Sequence, residues 1–316
     1  MGTKTGIAWT DATWNPIRGC SRVSAGCQHC YAESVAARFS GPGLAYEGLA
    51  RRRSNGEPQW TGDVRVIDEH MADPLRWRSP RRVFVNSMSD LFHENVSEET
   101  MARVFAVMAL SGAFARGHVF QILTKRPRRM LDFLTRPNVR QLLEDHAGEF
   151  AEDGDCHVAN AMNDVLGEGH NVGWPLRNVW LGVSVEHQAA ADERIPLLLE
   201  TPAAIRFLSC EPLLGSVDLS KYGVDERKRV QALKQSGTHE LMRTWVSRLD
   251  WVIVGGESGR HARPMELDWA RRIRHQCARA GTAFFLKQLG GFPDPHAHDK
   301  AQLDGRMHTE FPERAS

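Results

Sequence analysis

Residues 179–209 read VWLGVSVEHQAAADERIPLLLETPAAIRFLS, and the reading of this stretch decides the fold class. Val179–Val185 is a nearly continuous apolar run rich in β-branched residues, with no alternation between faces. A strand covered on both sides reads this way, and such strands belong to parallel sheets. His187–Leu199 follows with helical character, and Ile205–Ser209 is a second short apolar run. Strand, helix and strand in that order predict a parallel pair joined by a right-handed crossover.

The same alternation extends in both directions. Apolar runs recur at Val83–Asn86, Val119–Thr124, Trp251–Gly255 and Ala283–Lys287, and an earlier strand candidate covers Ala12–Ile17. Helical patterns lie at Ser97–Leu110, Arg128–Leu134 and Leu267–Ala280, the first opening on a serine ahead of acids in the manner of a capping box. Six or seven such units fit an α/β fold, either a full or partial parallel β/α (TIM-like) barrel or an open doubly wound sheet. The barrel is preferred because polar residues recur where strands end: Asn86-Ser87-Met88-Ser89-Asp90, Thr124-Lys125-Arg126, Ser184-Val185-Glu186, Ser209-Cys210-Glu211, Gly255-Gly256-Glu257-Ser258 and Lys287-Gln288. In a barrel those ends ring one mouth, where active sites sit. Any one of them alone reads as a solvated loop or helix cap. Segments 136–177 and 216–249 are too long for ordinary connections and are expected to be insertions within a single domain spanning residues 1–316.

Composition narrows the partners. The chain has 316 residues, 41% apolar and 25% charged, with a formal charge of +1, so no global field draws it to nucleic acid or membrane. Basic clusters at Arg51-Arg52-Arg53, Arg76 to Arg82, Lys125 to Arg129 and Arg271 to Arg274 read one by one as solvated faces. The N-terminal MGTKTGIAWTD lacks an apolar core of the secretory kind and no run reaches membrane-spanning length, so a cytoplasmic, reducing compartment is expected. There a cluster of cysteines favours metal or redox chemistry over disulfides.

Three of the six cysteines form such a cluster, Cys20-x6-Cys27-x2-Cys30. Three thiolates leave one position of a tetrahedral or cubane site without a cysteine. Either His29 completes a structural zinc site, or the corner stays open for chemistry. Cys277 lies in a helical pattern and reads as a small core residue, whereas Cys210 reads as a buried residue, a hydrogen donor or an extra ligand. Gly255-Gly256-Glu257 suits a ligand approaching the backbone, or equally a strand–helix turn with structural glycines. No P-loop, nucleophile elbow, zincin helix or deaminase motif is present.

The trio stands between a first strand and a helix (Tyr31–Phe39), ahead of β/α units. With Thr13–Pro16 (TWNP), Cys30–Ala32, Asn86–Glu94 (NSMSDLFHE), Ile122–Pro127 (ILTKRP), Leu181–Glu186, Ser209–Gly215 (SCEPLLG), Val252–Gly259 and Phe284–Gly291 (FFLKQLGG), the chain resembles the radical S-adenosylmethionine (SAM) enzymes. More closely it resembles a phage-associated radical-SAM-like family with its own three-cysteine motif. The resemblance implies a [4Fe–4S] cluster on Cys20, Cys27 and Cys30, with SAM on the fourth iron and a deoxyadenosyl radical as the product of its cleavage. It implies SAM contacts from Asn86, Ser87, Asp90, Ser184, Glu186, Gly255, Gly256 and Glu257. Cys210, Lys125, Glu211 and Lys287 would then face the substrate. The implied reaction isomerises a modified nucleotide or base, such as an amino-acid-decorated thymidine of phage DNA, with an external electron donor. The first cysteine spacing departs from the three-residue spacing common in radical SAM enzymes, and His29 stands where an aromatic residue is usual. Two other readings are a zinc-stabilised, non-catalytic nucleic-acid-binding protein and a radical repair lyase for damaged pyrimidines.

Overall fold

The computed structural model describes residues 5–113, 117–150, 174–222, 249–292 and 301–313. The remainder, including Cys156 and most of both expected insertions, lies outside the described residues. The chain divides into two compact units, Met1–Leu181 with Pro202–Ala204, and Gly182–Thr201 with Ile205–Ser316.

In the first unit the chain runs through strands β1 (Ala12–Trp14) and β2 (Ile17–Arg18), helix α1 (Tyr31–Arg38), and strands β3 (Ala50–Arg52), β4 (Pro58–Trp60), β5 (Arg65–Val66) and β6 (Arg82–Val85). Helix α2 (Glu98–Ala113), strand β7 (Val119–Thr124) and helices α3 (Pro127–Leu134) and α4 (Val139–Ala147) follow, then β8 (Val179–Ser184), whose residues from Gly182 onward belong to the second unit. In the second unit come α5 (Gln188–Glu200), β9 (Ile205–Cys210), β10 (Trp251–Gly255), α6 (Leu267–Ala280) and β11 (Ala283–Gln288).

One seven-stranded sheet has the order β1-β6-β7-β8-β9-β10-β11. Its pairings β1–β6, β6–β7, β9–β10 and β10–β11 are parallel, with Trp14 opposite Val85 and Trp251 opposite Phe207. Each strand of the sheet lies beside its predecessor in the chain and the order never reverses, so the crossovers all progress one way. That is the strand order of a part-barrel; a doubly wound sheet needs a reversal. Strands β8, β9 and β10 are buried along their whole length, which is why their sequences show no alternation.

Two expectations are corrected locally. Ala12–Ile17 is not one strand: Pro16, which lacks an N–H, separates β1 from β2, and β2 leaves the sheet to pair antiparallel with β5. Ser97 does cap α2, accepting the Thr100 N–H at 3.1 Å, but the residue three along is a threonine, and its hydroxyl meets Ser97 Oγ at 2.9 Å. Among the described residues no helix is long and apolar enough to cross a membrane.

Candidate functional site

The three cysteines belong wholly to the first unit. After β2 the chain turns at Gly19, whose φ is +96° and where a Cβ would strike the Asp63 carbonyl oxygen; only glycine delivers Cys20 from this turn. Cys27 ends a short 3-10 turn and its sulfur accepts the Val23 N–H at 3.5 Å. Cys30 is the N-cap residue of α1. Cys20 and Cys30 pack on a cluster that includes Ala36, Tyr46, Trp60 and Met88.

The Cys20 thiol is pushed up to about 12, chiefly by burial and then by Asp90, with smaller rises from Cys30 and Cys27 and with Arg126 opposing. Burial also raises Cys30, against the Glu33 N–H and the Lys125 ammonium, and Cys27 adds to it. The three sulfurs therefore share one electrostatic neighbourhood. Holding Cys20 and Cys30 there as thiolates is unfavourable without a cation beside them, and metal ligation requires the thiolate form. Among the described residues no three His, Cys, Asp or Glu side chains gather as a set for one metal ion.

Two clasps hold the long cysteine loop. Arg22 Nε donates to both oxygens of Glu33, at 3.1 and 3.0 Å, and its Nη2 lies 2.5 Å from Oε2. Glu33 is 1% exposed and also accepts the Trp60 N–H at 2.8 Å. On the other side Arg126 Nη2 donates to Ser21 Oγ at 2.7 Å, Nη1 to Asp90 at 3.1 Å and Nε to Glu94 at 2.8 Å. His93 Nδ1 accepts the Asn95 N–H at 3.1 Å, so its proton sits on Nε2, 2.9 Å from Ser21 Oγ. Burial holds the His93 pKa below its ordinary value, and the Arg126 charge lowers it further.

This network occupies several of the polar residues at the ends of β6 and β7. Arg126 is buried and committed to Ser21, Asp90 and Glu94, so this member of the Lys125–Arg129 cluster is not part of a solvated face. Asp90 accepts from Thr124 Oγ1 at 2.7 Å and from the N–H groups of Phe92 and Lys125 at 3.0 and 3.2 Å, besides Arg126. Its carboxylate locks the loop. Asn86 differs. Its φ is +58°, its side chain is buried, and neither amide atom has a hydrogen-bond partner among the described residues. A buried, unpaired amide is costly, and such strained, unsatisfied positions cluster at binding sites. Beside it Ser87 Oγ donates to Asn15 Oδ1 at 3.1 Å, while the Ser87 carbonyl accepts the Tyr31 hydroxyl at 2.7 Å.

In the second unit, Glu186 is fully buried and meets Arg194 Nη1 at 3.0 Å, and the Ser184 carbonyl accepts from the same guanidinium at 2.8 Å. Glu257 is held by Arg263 Nη2 at 2.6 Å and by its N–H at 2.9 Å. Lys287 pairs with Glu211 at 2.9 Å. At Gly256 a Cβ would strike the Leu289 carbonyl oxygen, so close backbone packing demands glycine there; at Gly255 it would lie 2.7 Å from the Glu211 carboxylate and displace that side chain. Cys210 is sealed in the interior, where burial drives its thiol pKa well up, and Cys277 is buried in α6.

Sequence reading missed Ser21, Arg22, Glu33 and His93. Only the polar character of the cysteine loop and the Asn86–Glu94 block hinted at them. Residues 4–312 match the family described as Protein of unknown function (DUF5131). No curated protein and no solved structure matches the chain.

Proposed function

We propose that the chain, which belongs to the DUF5131 family, is a radical SAM enzyme that rearranges a modified nucleotide or base. The observation that carries the reading is the shared neighbourhood of Cys20, Cys27 and Cys30 at the start of α1, on a parallel β/α sheet. These residues would hold three irons of a [4Fe–4S] cluster and leave the fourth for SAM. When bound, the pair supplies one-electron reduction of SAM and, with it, hydrogen-atom abstraction.

The protein's own residues do the positioning. The Arg22–Glu33 and Ser21–Arg126 clasps tie the cysteine loop to α1 and to the end of β7. Lys125 stabilises the Cys30 thiolate. The Asn86 amide offers a donor and an acceptor suited to an amino-acid group such as that of SAM. An amino-acid-decorated thymidine is the substrate to test first, on the strength of the family resemblance. A zinc ion bound by the cysteines and His29 is the competing reading.

The test is iron, sulfide and zinc analysis of anaerobically purified protein, with the paramagnetic resonance spectrum of the reduced protein recorded with and without SAM. Four irons and a spectrum altered by SAM support the reading. One zinc and no iron, even after reconstitution, overturns it.

A further inference from the structure

A second feature of the first unit lies beside the cysteines. A cavity of about 430 Å³ opens there, within the ordinary range for small-molecule sites. Trp14, Phe39, Tyr46 and Trp77 contribute its aromatic walls, and Met88 joins it to the cluster on which Cys20 and Cys30 pack. The Trp14 N–H is already given to the His70 carbonyl at 2.8 Å, so this residue brings ring surface, not a free donor. Such walls suit a flat ring, which gains area and stacking geometry together.

Arg18 also lines the cavity and is only 9% exposed. Its guanidinium lies 5.6 Å from the centre of the Tyr46 ring, and Nη1 donates to the Ala45 carbonyl at 3.3 Å. No carboxylate among the described residues pairs with it. Arg65 stands directly opposite in the β2–β5 ladder, so the nearest cross-strand neighbour carries the same charge. The one acid of the lining, Asp73, is engaged by His70 Nδ1 at 3.0 Å and Arg76 Nη1 at 3.6 Å. A buried cation without a counter-ion is costly, and an arginine fork is shaped to take two oxygens of one anion.

We propose that this cavity binds a planar aromatic molecule bearing an anionic oxygen group, phosphate or carboxylate, with the ring between the aromatic walls and the anion on Arg18. The site requires no bound cluster, so it stands or falls apart from the radical SAM reading.

Calorimetric titration of the full-length protein with thymidine 5′-monophosphate, indole-3-acetate and thymidine tests it, and iron is assayed in the same samples. At least one anionic probe is expected to bind about tenfold or more tighter than neutral thymidine, and which one binds separates phosphate from carboxylate. Arg18→Gln should bring that probe to the thymidine level and leave thymidine unchanged. Trp77→Ala, which leaves the charge in place, should weaken charged and neutral probes alike; it also serves if the arginine variant does not fold. Equal binding of the anionic probes and thymidine, no binding of any probe, or full anion affinity in a folded Arg18→Gln protein overturns the proposal. Probe binding without iron sinks the radical SAM reading alone; four irons without probe binding sinks the cavity alone.

Discussion

In the second unit Glu186 meets Arg194 at 3.0 Å, Glu257 meets Arg263 at 2.6 Å and Glu211 meets Lys287 at 2.9 Å. In the first, among the described residues, Asn86 keeps both amide atoms unpaired and Arg18 has no carboxylate partner, while Cys20, Cys27 and Cys30 act on one another electrostatically. The acids at the strand ends of the second unit look functional in sequence, yet each is neutralised by a basic group of its own chain. A polar group satisfied internally gains little from a ligand, whereas an unsatisfied one gains the full value of the missing bond. The difference leaves unpaired polar groups in the first unit, while the strand-end acids of the second are held by partners that a ligand would have to displace.

The largest test of that contrast removes the cysteines. Cys20→Ala, Cys27→Ala and Cys30→Ala should each lose most of the iron measured after reconstitution, and Cys210→Ala should keep it. Iron retained in the three variants, or lost in the Cys210 variant, would collapse the distinction. Next in size is Arg194→Met, which leaves the Glu186 carboxylate buried without its partner and should cost about 3–5 kcal/mol, read by denaturant titration, with iron content unchanged. A loss below about 1 kcal/mol would mean that the paired acids do not stabilise as argued.

Asn86→Gly sharpens the comparison from the other side. Glycine accepts the +58° φ without strain, and the amide it removes has no partner among the described residues to lose. Stability should change by no more than about 1 kcal/mol, while the effect of SAM on the reduced spectrum should disappear. Marked destabilisation with SAM binding intact would make Asn86 a structural residue.

Strand positions were legible because both faces of β8, β9 and β10 are covered, which leaves continuous apolar runs. The break at Pro16 was available in the sequence as a proline inside an apparent strand. The site was half legible. The cysteines stand close together in the chain, but the contacts that hold their loop do not: Ser21 meets Arg126 across 105 residues. A strand-end acid looks the same in sequence whether it awaits a ligand or pairs with an arginine on the next helix turn, as Glu186 does with Arg194. Only the folded arrangement separates the two.

The smallest effect concerns His93, the histidine behind the cysteine loop. Its folded pKa lies below the ordinary 6.5, chiefly because of burial and then the Arg126 charge, with Glu94 and Asp90 opposing. The unfolded chain thus takes up a proton at a pH where the native protein does not. The neutral ring's contribution is whole above the unfolded value, declines as pH falls below it, and stops changing once the folded ring is itself protonated. The melting temperature should therefore drop between about pH 7 and about pH 5 by more in the native protein than in His93→Gln. Glutamine can still reach Ser21 but cannot take up the proton. Parallel drops in the two proteins would mean that His93 is already free to ionise in the fold, and that the loop behind the cysteines is more open to water than its hydrogen bonds to Ser21 and Asn95 imply.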